Sequence, residues 1–313
     1  MKAAVITSFD ASPRYEDFAE PRPRDRGETV VEVLAAGLHH LTRARATGKH
    51  YMHTPTLPLV PGMDGVGRDA DGKLRYFVLG ETQFGSMADK TVVELDHSMV
   101  LPRDADPVTV AAAMNPAMGA WLALRCRVPL KRKARVLVLG AGGNAGSMAV
   151  QIARHLGASQ IIAAGRDEQR LERMRALGAT DVVTLTDPKL GHLSRDLDIV
   201  LDFVWGEASA LAMERIVTER ADRSRSLTWV EVGSVAGQTA PVPAAMLRAA
   251  NFQIVGSGIG SVPGREILKE LPALVKEIAR GTFRIDAKAV PLRDVEQAWT
   301  APAHSSERIV LTP

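Results

Sequence analysis

The segment Arg135-Val-Leu-Val-Leu-Gly-Ala-Gly-Gly-Asn-Ala-Gly146, followed by Ser147–Leu156, restricts the possible folds more than any other part of the chain. An apolar strand runs into a turn with four glycines, and a helix-forming stretch follows at once. Glycine lets the backbone turn tightly and approach a pyrophosphate, whose charge then meets the unpaired amides of the helix N-terminus. Strand, turn and helix in this order make the opening unit of a dinucleotide-binding βαβ fold. Two registrations fit the turn, Gly140-x-Gly142-x-x-Ala145 and Ala141-x-Gly143-x-x-Gly146. The second is preferred because it sets Gly146 against the following helix and the strand. Gly140, Gly143, Asn144, Ala145 and Gly146 are therefore the candidate phosphate contacts.

The pattern around this turn extends the inference. Apolar strands alternate with helices of ten or so residues: Gln160–Ala164 and Glu168–Leu177, Val182–Leu185, Asp198–Phe203 and Ala208–Val217, Thr228–Val232, Phe252–Ser257. Such alternation implies a doubly wound parallel sheet covered on both faces. The first hundred residues differ, with short β-branched stretches at Lys2–Thr7, Thr29–Ala36, Leu74–Val78 and Thr91–Leu95, and a short helix over His39–Gly48. They predict a small, mostly antiparallel barrel. An Ala-, Met- and Leu-rich helix over Val108–Leu124 leads into the parallel unit. After Gly258 come an amphipathic helix over Arg265–Gly281 and three short pieces too few to fold alone. With 313 residues, two domains are expected: 1–112 with 259–313, and a nucleotide-binding domain over 113–258.

The end of the second strand of the parallel unit selects the dinucleotide. A carboxylate about 20 residues past the glycines would accept from the ribose hydroxyls of NAD. Here Ile161-Ile-Ala-Ala-Gly165 ends in glycine, Arg166 follows, and Arg170 lies one helical turn on. A guanidinium binds a 2′-phosphate through paired, charge-assisted hydrogen bonds that a carboxylate would oppose. The residues read as an NADP(H) site. Asp167 and Glu168 are first-turn residues favoured by the helix dipole.

Charge and cysteine usage remove other classes. A net charge of +3 is too small to make nucleic-acid binding the default, and the basic runs at Pro21–Arg26 and Arg125–Arg135 read as a solvated loop and helix end. No apolar run of roughly 18 residues is evident to cross a membrane, and the N-terminus lacks the apolar stretch of a signal peptide, so a cytoplasmic setting is expected. One cysteine, Cys126, allows no intrachain disulfide and no zinc site of several thiolates.

Further segments, in order, carry a family resemblance: Val33-Leu-Ala-Ala-Gly-Leu38, Val60-Pro-Gly-Met-Asp-Gly-Val-Gly67, Gly85-Ser-Met-Ala-Asp89, Ala111-Ala-Ala-Met-Asn-Pro-Ala-Met-Gly-Ala-Trp121, Leu177-Gly-Ala-Thr-Asp-Val-Val183 and Asp198-Ile-Val-Leu-Asp202. With the glycine turn they make the chain similar to the medium-chain dehydrogenase/reductase superfamily, in its zinc-independent quinone oxidoreductase and enoyl reductase branch. The resemblance implies a GroES-like catalytic domain beside the Rossmann domain. It also implies a nicotinamide lying near Asn115, Val204, Val232, Gly233 and Ser257. The positions matching the zinc ligands of the related alcohol dehydrogenases are His39, Met63 and Asn115. A thioether and an amide do not replace a histidine and a thiolate at catalytic zinc, so no zinc is expected. His39, His40, His50 and His53 read as cleft-lining or solvated imidazoles.

The chemistry implied is hydride transfer from NADPH to a small molecule, a quinone or an α,β-unsaturated carbonyl, with the protein positioning the substrate and stabilising charge on its oxygen. Tyr51, three residues beyond Gly48, matches the tyrosine that assists protonation in related enoyl reductases, with His39 or solvent as the other sources and Asn115 nearby. A packed or surface ring is the alternative for Tyr51. Two competing readings stay open: an NADPH-binding sensor or structural protein without turnover, and an alcohol dehydrogenase-type carbonyl reductase. The apolar strand Phe252–Val255 closing the sheet predicts a homodimer.

Overall fold

A computed structural model of the chain describes residues 1–48, 56–258, 260–301 and 307–313. In chain order the first elements are β1 (Lys2–Val5), β2 (Arg14–Asp17), β3 (Glu28–Gly37), α1 (His40–Ala46), β4 (Asp64–Asp69), β5 (Leu74–Val78), β6 (Lys90–Glu94) and β7 (Ser98–Val100). Helix α2 (Pro107–Leu122) leads to β8 (Arg135–Leu139), α3 (Asn144–His155), β9 (Gln160–Gly165), α4 (Glu168–Leu177), β10 (Asp181–Thr184), α5 (Lys189–Leu193), β11 (Ile199–Asp202), α6 (Gly206–Thr218), β12 (Leu227–Glu231), α7 (Ala244–Ala249) and β13 (Phe252–Gly256). The chain ends with α8 (Gly264–Ala279), β14 (Ala287–Pro291), α9 (Val295–Thr300) and β15 (Arg308–Thr312).

These elements form two compact units, one of Met1–Asn115 with Leu271–Pro313 and one of Pro116–Glu270. Sequence reasoning drew the boundaries at 112/113 and 258/259. In the structure they fall inside α2 and α8, because each of these helices belongs to one unit at its start and to the other at its end.

In the first unit β1 and β2 pair as an antiparallel ribbon, and seven strands form a sheet in the order β14-β15-β3-β4-β5-β7 with β6 also on β3. Every pair in it is antiparallel except β14 with β15. Its apolar face buries Ile6, Val33, Phe77, Met87, Val93 and Leu311, a few of the side chains whose removal from water contributes about 1.5–3 kcal/mol each. Strand β4 escaped sequence reasoning because Asp64-Gly-Val-Gly-Arg-Asp69 has the glycines of a loop. Those glycines are what let it pair: a Cβ on Gly67 would lie 2.5 Å from the Glu32 carbonyl oxygen, and one on Gly65 2.8 Å from that of Ala35.

The second unit is a six-stranded parallel sheet in the order β10-β9-β8-β11-β12-β13. This is the order of doubly wound nucleotide folds, and it reverses between β8 and β11, where ligands bind at the carboxyl ends of the strands. The core between sheet and helices holds Leu137, Leu139, Ile162, Val200, Met213 and Trp229. Contrary to the reading of the sequence, one stretch, Pro107–Arg127, is long and apolar enough to cross a membrane by composition. Its most apolar window is 67% buried inside the protein, where apolarity serves core packing.

Candidate active site

The glycine turn lies at the reversal of strand order. Gly140 follows β8 at φ +83°, and a Cβ there would lie 3.1 Å from Val204 Cγ2 and 3.4 Å from Phe203 Cβ, so the turns after β8 and β11 meet. Gly146, in the first turn of α3, is held tighter still: its Cβ would lie 2.2 Å from the Gly140 carbonyl oxygen and 2.6 Å from Ala141 Cα. Only hydrogen fits there. Gly143 is the N-cap of α3 and offers no side chain to the helix amides. The N–H groups of Asn144, Ala145 and Gly146 thus lie in the turn where an α-helix has no internal acceptors, at its positive end. Gly143 is exposed and Asn144 and Ala145 are half-buried.

Strand β9 ends at the buried Gly165, where a Cβ would lie 3.8 Å from the Gly142 amide nitrogen. Arg166 follows, exposed. Arg170 packs its stem along Gly142, and its Nε lies 3.4 Å from Asp167 Oδ2. Asp167 caps α4 by accepting from the Arg170 amide at 3.1 Å. The other second-unit candidates lie at the ends of neighbouring strands. Val204 follows β11, the half-buried Val232 and Gly233 follow β12, and the buried Ser257 follows β13 and donates its amide to the Glu231 carbonyl.

One residue of this region that sequence reasoning left without a role is Asp202, fully buried at the end of β11. Its Oδ1 accepts from the amides of Val204 at 2.8 Å and Trp205 at 3.0 Å, and its Oδ2 from Trp229 Nε1 at 2.9 Å. Its carbonyl accepts from the amides of Val232 and Gly233. The carboxylate holds the turn in which Trp205 takes φ +54°, a conformation that costs a residue with a Cβ about 1–3 kcal/mol.

In the first unit His39 is 2% exposed and Asp64 4%. His39 caps α1: its Nδ1 accepts from the Thr42 amide at 3.2 Å. An amide can only donate, so Nδ1 carries no proton and the ring's single N–H is at Nε2, 2.9 Å from Asp64 Oδ1. Burial lowers the imidazole pKa against the opposing pull of Asp64, which keeps the ring neutral. The other Asp64 oxygen accepts from the Tyr76 hydroxyl at 2.9 Å, and burial, with Asp64 adding to it, pushes that phenol well above its usual range. Thr42 and Met63, beside this group, line a recess with Arg45, Ala46, Leu59 and Gly80.

Asn115 is half-buried on α2, and its Oδ1 accepts from Arg308 Nη2 at 3.2 Å. Arg308, at the start of β15, is 8% exposed. Burial brings its pKa down to about 10, against the attraction of Asp64, so it remains a cation at neutral pH. The structure therefore gathers His39 and Asn115 around partners that were not foreseen: Asp64, Tyr76 and Arg308. Asp64 sits in a noted motif, Tyr76 in a predicted strand, and Arg308 directly precedes the apolar run Ile309-Val-Leu, a signal that could have flagged it. Tyr51, His50 and His53 lie outside the described residues.

The family model for zinc-binding dehydrogenases matches residues 145–280. A probable NADPH-dependent quinone reductase, tdiC of Emericella nidulans, is 28% identical over 100% of both chains. The chloroplastic NADPH-dependent alkenal/one oxidoreductase of Arabidopsis thaliana is 28% identical over 65% of this chain and 57% of its own. Among solved structures, the quinone oxidoreductase of Thermus thermophilus, also studied as its NADPH complex, superposes with a TM-score of 0.83 over 100% of both chains at 25% identity. With the parallel unit, the antiparallel unit and the glycine turn all in place, the chain is similar in sequence and fold to quinone oxidoreductases of the medium-chain dehydrogenase/reductase superfamily.

Proposed function

We propose that this protein is an NADPH-dependent oxidoreductase that reduces a quinone or an α,β-unsaturated carbonyl without zinc. The observation that carries this reading is the uncapped glycine N-terminus of α3 at the reversal of strand order, in a chain that aligns end to end with a quinone reductase. The residues fit NADP(H): Gly146 lets the glycine turn close directly onto the first turn of α3, and Gly165 leaves the end of β9 without a carboxylate. When bound, the cofactor supplies hydride. The amides of Asn144, Ala145 and Gly146, with Gly140 and Gly143 allowing close approach, hold the pyrophosphate. Arg166 and Arg170 hold the 2′-phosphate, and Val204, Val232, Gly233 and Ser257 flank the nicotinamide.

In the first unit, Asp64 fixes the tautomer and orientation of His39, whose single N–H it accepts. That commitment leaves Tyr51 and water as the proton sources, with Asn115 a further substrate contact. The residues do not fit a catalytic zinc. Both ring nitrogens of His39 are engaged, Met63 offers a thioether, and the Asn115 oxygen accepts from a cation. Activity should survive exhaustive chelation, and a loss restored only by zinc would sink this part.

The test of the whole is NADPH consumption against a panel of quinones and enones, with products analysed. Oxidation of NADPH with at least one member is expected. Binding without turnover on any of them would favour a sensor. We further propose a cytoplasmic homodimer joined through β13, which lies at the edge of the parallel sheet and so presents unpaired backbone groups. Sedimentation as a monomer at micromolar concentration would contradict it.

A further inference from the structure

Helix α1 carries two arginines, Arg43 and Arg45, and the first unit uses them differently. Arg43 is held by the chain itself. Its guanidinium donates to the backbone carbonyls of Trp299 and Ala298 and lies 5.3 Å from the centre of the Trp299 ring, so it clamps α1 to α9. Arg45 has no such clamp. A guanidinium has five N–H donors, yet among the described residues Arg45 makes one hydrogen bond, to the Gly80 carbonyl at 3.3 Å, and no ion pair. It is half-buried. Burial lowers its pKa, and the nearby Glu81 carboxylate opposes that through space without bonding it.

Arg45 also lines the recess described above, where every other described wall residue is uncharged. Leu59, Val60, Pro61 and Met63 give it apolar walls, and Thr42 and Thr82 add hydroxyls. A cation beside apolar walls attracts an anion more strongly than the same cation in open water, because less solvent screens the pair. The place of Arg45 on its helix sets the size of the ligand. Thr42 and Arg45 are three residues apart on α1, so they share a face with their Cβ atoms about 5–6 Å apart. The Thr42 amide donates to His39 Nδ1 at 3.2 Å, which joins this face of α1 to the His39–Asp64 group. A ligand with one oxygen at Thr42 and an anionic group at Arg45 therefore has only a few carbons between them.

We propose that this recess takes the acidic end of the substrate, and that Arg45 selects unsaturated carbonyl compounds bearing a carboxylate a few carbons from the carbonyl. This rests on the reduction of an enone read above. 4-Oxopent-2-enoate has the required form, a ketone and a carboxylate joined through one double bond. Its alkene gains a hydride from NADPH at the carbon β to the ketone and a proton from water at the α-carbon, giving 4-oxopentanoate and NADP⁺. Arg45 takes no part in either transfer. It holds the carboxylate through charge-assisted N–H donors and determines specificity.

The test compares 4-oxopent-2-enoate with its uncharged methyl ester. Taking the ratio of their kcat/KM values in each protein cancels the different reactivity of the two alkenes. Arg45→Met should lower the acid-to-ester ratio about tenfold relative to wild type, the low end for a charge-assisted bond because the guanidinium is only half-buried. Calorimetry supplies a second readout that needs no turnover: the full chain without cofactor should bind 4-oxopentanoate, and Arg45→Met should weaken that binding about tenfold as well. An unchanged ratio, equal affinities, or no binding of 4-oxopentanoate to wild type overturns the proposal. If Arg45→Met fails to fold, Arg45→Gln carries the same test, since it keeps a donor for the Gly80 carbonyl and loses the charge. Wild-type protein that binds 4-oxopentanoate through Arg45 but oxidises no NADPH with any quinone or enone would refute the proposed function and leave the anion recess standing. Enone reduction with a ratio untouched by either variant would do the reverse.

Discussion

Asp202 and Asp64 are both buried aspartates at a strand end, one in each unit, and they are used in opposite ways. Asp202 accepts three donors, two amides from the turn just after it and the Trp229 indole from the adjacent strand. Nothing in that arrangement is open: carboxylate, turn and indole complete one another, and the turn that meets the glycine loop is held rigid. Asp64 accepts from two side chains, His39 and Tyr76, and stands near a cation that it does not bond. The first arrangement is a closed anchor. The second is a charged network with spare donors, which is what a site needs if a ligand is to complete it.

The contrast makes the Asp202 anchor the place where substitution should hurt stability most. Asp202→Ala leaves two buried amides and a buried indole N–H without acceptors and frees a turn held at positive φ. At about 1–3 kcal/mol for each unsatisfied buried donor, with partial relaxation, a loss of about 3–5 kcal/mol is expected in urea unfolding. A loss under about 1 kcal/mol would mean that the turn holds itself, and the distinction between the two aspartates would collapse.

The 2′-phosphate contact of the second unit predicts a smaller effect and a different readout. Arg166 is exposed and gives the fold little, so Arg166→Ala should leave the unfolding free energy within about 0.5 kcal/mol of wild type. It should raise the Michaelis constant for NADPH about ten- to a hundredfold while leaving that for NADH nearly unchanged. Equal effects on both cofactors would remove Arg166 from the phosphate site.

How far each region could be read from sequence follows from how it is encoded. The glycine turn, the end of β9 and Arg166 lie within about thirty consecutive residues, and backbone sterics and helix-end amides are local, so a contiguous motif reveals them. The His39–Asp64–Tyr76–Arg308 group draws on residues up to 269 positions apart, brought together by the pairing of β15 with β3 and of β3 with β4 and β4 with β5. That convergence depends on β4, which the glycine content of Asp64–Asp69 disguises as a loop. The resemblance matched His39, Met63 and Asn115 to zinc-ligand positions, but the partners of His39 and Asn115, namely Asp64 and Arg308, are visible only once the strands are paired.

The smallest effect tests the electrostatic state of that network. Burial holds the folded-state pKa of His39 below its ordinary value of 6.5. Above pH 6.5 the ring is neutral in both folded and unfolded chains, and its ionisation contributes nothing to the pH dependence. As pH falls through 6.5 the unfolded chain takes up a proton that the folded chain refuses, so stability drops until the folded pKa is reached. One such group accounts for a slope of at most about 1.4 kcal/mol per pH unit. His39→Asn removes the titrating ring while keeping a side-chain oxygen able to accept from the Thr42 amide, since Asn is among the preferred N-caps. The variant should be less stable at pH 7.5, having lost the bond to Asp64. Between pH 6.5 and 5 its unfolding free energy should fall less steeply than that of wild type, and subtracting the two curves cancels the remaining histidines. Parallel curves would mean that folded His39 takes up its proton as readily as the unfolded chain does; the protonated ring would need both nitrogens to donate, which would break the Thr42 cap on which the tautomer assignment stands.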